Sequence, residues 1–124
     1  MLDSFLIEIT RDIMYYNDED GTPLLEKILD SAGQKGTGKW TAINALDQGQ
    51  PVTLIGEAVF SRCLSSLKAE RTRASQILQG PTPQFTGDKK QFIANLEQAL
   101  YASKIISYAQ GFMLMQSVSH ILQE

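Results

Sequence analysis

The stretch "GQKGTGKW", residues 33–40, gathers the groups best able to do chemistry in this chain of 124 residues. Gly33, four residues, then Gly38-Lys39 begins the nucleotide-binding pattern G-x-x-x-x-G-K-[ST]. In that pattern backbone N–H groups cradle phosphates and the last hydroxyl holds Mg²⁺. Here the last position is Trp40, and Thr41 comes one residue late. The pattern also needs a strand before the loop and a downstream Asp closing an apolar strand, and neither is legible. A Mg²⁺-dependent ATP or GTP loop is therefore rejected. A simpler anion site survives. Gly33, Gly36 and Gly38 permit a close backbone approach to a ligand, and the loop runs into a helix whose first N–H groups and dipole favour negative charge. Lys35 and Lys39 add ammonium groups and Thr37 a hydroxyl. A tight, solvated turn with two ordinary lysines fits the same local features.

Arg62 bears on that choice. On a helical wheel, Glu57, Ser61, Ser65 and Lys68 form one polar face within about 80°, and Arg62 lies about 140° from Glu57. It aligns instead with Ile55 and sits near Ala58 and Val59, where solvent is not the obvious partner. A guanidinium there calls for a carboxylate or a phosphate, which its planar fork grips with two bonds. A snorkelling side chain, or a structural pair with an acidic residue such as Asp30, accounts for the placement, and periodicity alone slightly favours that reading. Cys63 is the only cysteine, so no internal disulfide forms. With Phe60 and Leu64 as neighbours it reads as an inert, buried thiol in a reducing compartment. His120 is also alone, and no metal site is expected. No Ser/His/Asp, Cys/His or paired-carboxylate set stands out.

The elements that must position these groups are helical. Leu2, Phe5, Leu6, Ile9 and Ile13 follow the i, i+3, i+4, i+7 template over 2–16. "NDEDGTP" (17–23) and "QGPTPQFTG" (79–87) read as loops. "PLLEKILD" (23–30) is left open between helical turns and an extended segment. A short helix is expected over 39–48, stopped by Gly49 with Pro51 beyond. Thr53 is expected to cap a helix running to about Ser75, with Glu57 in its first turn. Asp88 and Gln91 form a D-x-x-Q capping box. It opens a long helix carrying Phe92, Ile93, Leu96, Leu100, Ile106 and Met113, with Gly111 as its weak point. At 1.5 Å per residue that helix would be roughly 50 Å long. No segment alternates with period 2. The expected class is all-α, a single helical domain over 1–124 with one long core helix.

Composition narrows the function. The chain is 43% hydrophobic and 20% charged, ordinary for a globular domain. Its net charge of −3 argues against nucleic acid as a partner. No apolar run approaches the ~20 residues a membrane span requires, and no signal segment opens the chain, so neither a membrane nor export is expected.

With these residues in place, "ILDSAGQKGTGKWT" (28–41) resembles the signature of 6-phosphogluconate dehydrogenase: apolar-x-Asp-x-x-[Gly/Ala]-[Asn/Gln/Ser]-Lys-Gly-Thr-Gly-x-Trp. Ile28, Asp30, Gly33, Gln34, Lys35, Gly36, Thr37, Gly38 and Trp40 meet every fixed position. "LDSFLIEIT", "PVTLIGEAVFSRCLSSLK", "FTGDKKQFI" and "ALYASKIISYAQGFMLM" are similar to further segments of the family, in family order, so the likeness spans about residues 2–115. The resemblance implies an NADP-dependent oxidative decarboxylation of 6-phosphogluconate to ribulose 5-phosphate, in the pentose phosphate pathway, by cytoplasmic homodimers that need no metal. It places the family's phosphate-gripping Lys and Thr on Lys35 and Thr37, and a further substrate-binding Arg on Arg62. Asp30, Gly36 and Gly38 are expected to shape the loop. Trp40 is expected to pack at the loop–helix junction, and Lys39, at the variable position, is left outside the site.

The resemblance also marks what is missing. The dinucleotide fingerprint G-x-G-x-x-G does not occur, so no NADP is expected to bind this chain alone. The family's catalytic Lys and Glu have no matching motif, and no catalytic residue is assigned. "QSVSHILQE" (116–124) falls outside the likeness, and the family's tail His is not transferred to His120. The expected picture is an internal part of the helical domain, carrying the substrate-phosphate loop, inactive by itself and self-associating through uncovered apolar faces. The alternative is a helical interaction module that has lost its ligand.

Overall fold

The computed structural model describes residues 2–121, with the side chains of His120 and Ile121 outside the described set. Among the described residues there are five α-helices, one 3-10 turn and no strand, apart from an isolated bridge between Asn17 and Pro23. The chain divides into two compact units, residues 1–30 and 31–124.

In the first unit, α1 (Phe5–Tyr15) starts where Ser4 stops the extended chain. The Ser4 hydroxyl accepts the Ile7 N–H at 3.2 Å, an N-cap that shortens the expected helix by three residues. The acidic loop after α1 folds on itself through Gly21, at φ +79°. The segment left open by the sequence is a 3-10 turn, Leu24–Lys27, followed by extended backbone at Ile28. Lys27 Nζ reaches back to Asp18 Oδ2 and Asp20 Oδ2, each at 2.6 Å.

The second unit holds α2 (Thr37–Asp47), α3 (Thr53–Ser66), α4 (Lys68–Ile77) and α5 (Lys89–Ile121). α2 begins two residues earlier than expected, directly at the glycine loop, and Gly49 (φ +62°) ends it as anticipated. The single helix expected from Thr53 to Ser75 is two. It breaks at Leu67, whose ψ is 47°. There the Ser66 hydroxyl donates to the Cys63 carbonyl at 2.6 Å, a local bond that competes with the helical ladder. The Arg71 guanidinium then takes up the Ser65 carbonyl at 3.0 Å.

Asp88 caps α5 as the sequence indicates, its Oδ1 accepting the Lys90 and Gln91 N–H groups at 2.7 and 3.0 Å. The return half of the capping box is not made. Gln91 Nε2 donates to Asn95 Oδ1 instead. The 33 residues of α5 continue unbroken through Gly111.

The core of this unit is small: Ala45 of α2, Val52 before α3 and Leu114 of α5, with Ile55 packed against them. Gln110, also buried, replaces the expected cap on α3. Its Oε1 accepts the Leu54 and Ile55 N–H groups at 3.0 and 3.2 Å, and its Nε2 donates to Thr53 Oγ1 at 3.0 Å. Thr53 is thus the first helical residue rather than the cap, and the first-turn amides of α3 are satisfied from α5. Glu57 falls in the second turn and accepts from the Ser61 hydroxyl at 3.0 Å. The apolar series of α5 is largely open: Phe92, Ile93, Leu96, Leu100, Ile106 and Met113 are all exposed.

Candidate functional site

The glycine loop is shaped for approach by a ligand. Gly36 caps α2 at φ +107°, a conformation that side-chain-bearing residues rarely adopt. The Trp40 ring lies over it, with Cζ2 3.2 Å from where a Cβ would stand. Trp40 therefore packs at the loop–helix junction, as its position in the sequence suggests. Gly38 has a different reason to be glycine. A Cβ there would meet Val59 Cγ2 at 2.9 Å, so its absence lets the first turn of α2 lie against α3. No side chain caps this end of α2, which leaves its leading N–H groups and positive dipole end for another acceptor.

Two side-chain bonds tie the incoming loop to α3. The Ala32 N–H donates to Ser65 Oγ at 3.2 Å, and Gln34 Nε2 donates to Cys63 Sγ at 3.4 Å. Cys63 is thus a half-exposed acceptor for the loop rather than the buried thiol expected from its apolar neighbours. Position 63 faces a polar loop, and neighbours in sequence do not report that.

Between loop and helix lies a cavity of about 250 Å³. Ile55, Ala58, Val59 and Arg62 line it from α3, the i, i+3, i+4, i+7 stripe on which the helical wheel places Arg62. Gln34, Thr37, Gly38 and Lys39 line it from the loop and α2. Of the predicted site residues, Thr37, Gly38 and Arg62 are brought together. Lys35 is exposed and does not line the cavity, whereas Lys39, left out on sequence grounds, does. Asp30 closes the first unit and is not among the cavity residues. Among the described residues no ion pair involves Lys35, Lys39 or Arg62. A larger open groove of about 620 Å³ runs from Trp40 and Asn44 to Leu114 and Met115, and none of the described residues lining it is charged. The small cavity joins cations, a hydroxyl donor and a helix N-terminus. That arrangement suits a phosphate or carboxylate.

A family model, "6-phosphogluconate dehydrogenase, C-terminal domain", matches residues 1–123. The chain belongs to this family. The match takes in residues 116–123, which had been expected to lie outside the likeness. "6-phosphogluconate dehydrogenase, decarboxylating" of Candida albicans is 74% identical over 125 residues, covering 96% of this chain and 24% of the relative. The human protein of the same name is 68% identical over 119 residues, covering 95% of this chain and 25% of its own length. A solved Plasmodium falciparum 6-phosphogluconate dehydrogenase superposes with a TM-score of 0.86 at 38% identity, over 98% of this chain and 27% of that one. That protein is described in apo form, with its cofactor NADP⁺ and with its substrate 6-phosphogluconate. The present chain therefore spans about a quarter of the length of the relatives it matches.

Proposed function

We propose that this chain is the part of a decarboxylating, NADP-dependent 6-phosphogluconate dehydrogenase that holds the phosphate end of the substrate. The observation that carries the reading is the cavity itself: the family signature loop and Arg62, 27 positions after Lys35 in sequence, meet around one space, and no ion pair holds the guanidinium among the described residues. In this reading Arg62 engages the phosphate through its planar fork and Thr37 donates a hydroxyl hydrogen bond. The N-terminal N–H groups of α2 add their dipole, and Lys35 in the preceding loop supplies a further positive charge. Gly36 and Gly38 keep the approach clear.

The described residues hold no strand–loop–helix unit that would fit a dinucleotide. In this reading NADP is bound by other parts of the longer protein. The chain alone is expected to bind but not to turn over. One all-helical domain over 1–124, a cytoplasmic setting and a homo-oligomer complete the proposal. The family match across both compact units supports the first of these.

The test is a chimera in which residues 1–123 replace the matching segment of the human relative. The reading expects NADP⁺ reduction dependent on 6-phosphogluconate by the chimera, none by the isolated chain, and a raised KM for 6-phosphogluconate with Arg62→Ala. A chimera that folds and dimerises yet shows no such dependence overturns it.

A second reading is favoured by the open apolar positions of α5: a helical self-association module whose ligand site no longer acts. It expects a stable dimer by analytical ultracentrifugation and identical behaviour of the wild-type and Arg62→Ala chimeras.

A further inference from the structure

We propose that Lys39, at the variable position of the signature, is a phosphate-contacting and affinity-determining residue of this site; the inference rests on the phosphate reading above. The two lysines of the loop are not equivalent. Lys35 lies before α2 and does not line the cavity, while Lys39, on the first turn of α2, lines it together with Thr37 and Arg62. No ion pair or side-chain hydrogen bond holds Lys39 among the described residues.

The chemistry of the ligand gives this placement a purpose. A phosphate ester carries about −1.5 to −2 charges near neutral pH on three acceptor oxygens. A guanidinium fork engages two of them in its plane. The third oxygen suits a compact ammonium on a flexible stem, which adjusts to whatever angle remains. Lys39 approaches from α2 and Arg62 from α3, so the two cations grip the anion from different helices.

The experiment is isothermal titration calorimetry on the full chain with 6-phosphogluconate, inorganic phosphate and gluconate, for wild type, Lys39→Gln, Lys39→Arg and Arg62→Ala. Lys39→Gln is expected to weaken 6-phosphogluconate and inorganic phosphate on the order of tenfold, the size of one charge-assisted hydrogen bond. It should leave gluconate and the melting temperature unchanged. Lys39→Arg should restore most of the loss, a rescue that a purely structural lysine would not show. If Lys39→Gln binds like wild type while Arg62→Ala loses binding, Lys39 is a solvated surface lysine and the phosphate reading stands without it. If wild type binds neither phosphorylated ligand, this inference and the phosphate reading fall together for the isolated chain.

Discussion

Two loops of this protein begin from similar material and end differently. The acidic loop of residues 17–23 and the glycine loop of 33–40 each turn on a glycine at positive φ, Gly21 in one and Gly36 in the other. Each involves lysine. In the acidic loop the charges of Lys27, Asp18 and Asp20 find partners at home: Lys27 is held by Asp18 and Asp20, and Asp20 also accepts the Thr22 N–H and hydroxyl at 3.0 and 2.6 Å. The Lys27 ammonium and these Thr22 bonds bring the Asp20 carboxyl down to about 2. In the glycine loop neither Lys35 nor Lys39 forms an ion pair among the described residues, and Lys39 lines a cavity together with Arg62 of α3. Charges satisfied locally make a turn. Charges without an ion-pair partner around a cavity are what the proposed phosphate site uses.

The comparison can be broken most forcefully at Arg62. Arg62→Ala should lower affinity for 6-phosphogluconate on the order of a hundredfold, about 2.7 kcal/mol, through loss of a bidentate charge-assisted pair. Because the side chain is exposed, thermal stability should stay within about 0.5 kcal/mol of wild type. A large drop in melting temperature would make Arg62 a structural residue like Lys27.

Gln110→Leu comes next. It strands the Leu54 and Ile55 N–H groups at the start of α3, and should cost roughly 2 kcal/mol in urea unfolding. It should also loosen the helix that presents Arg62. Gly36→Ala should cost roughly 1–3 kcal/mol, because the new side chain is strained at φ +107° and crowds the Trp40 ring.

Lys27→Met sharpens the other half of the comparison and has the smallest effect. The Asp20 carboxyl titrates at about 2 against an ordinary 3.8. Its contribution to stability is therefore present above the ordinary value and lost as pH falls toward about 2. Carbonyl-detected NMR should find the Asp20 midpoint moving back up toward the ordinary value in Lys27→Met. Phosphate binding should be untouched.

Much of this was legible in the sequence, for physical reasons that differ by element. Asp88 announced the start of α5 because an N-cap acts within three residues of itself. Arg62 was located on the correct stripe because a helix fixes the angle between residues 55, 58, 59 and 62 whatever the rest of the chain does. Two of the misses concern contacts made across space. Gln110 caps α3 from 56 residues away, and nothing near Thr53 reveals it. Cys63 was misjudged because its partner, Gln34, lies 29 residues upstream. The break at Leu67 goes with the Ser66 hydroxyl bonding back to the Cys63 carbonyl and Arg71 taking up the Ser65 carbonyl, short-range choices that the continuous helical pattern does not announce. Lys39 stood in a variable signature position, and only the cavity distinguishes it from Lys35.

The central claim, that the glycine loop and Arg62 form a phosphate site, is tested most directly by an amide NMR titration of the 124-residue chain with 6-phosphogluconate and, separately, gluconate. The account predicts that the amides of Lys35 to Lys39 shift with the phosphorylated ligand alone, and that Arg62→Ala abolishes the shifts. Unmoved loop amides in a well-folded sample, or equal shifts with gluconate, would contradict it.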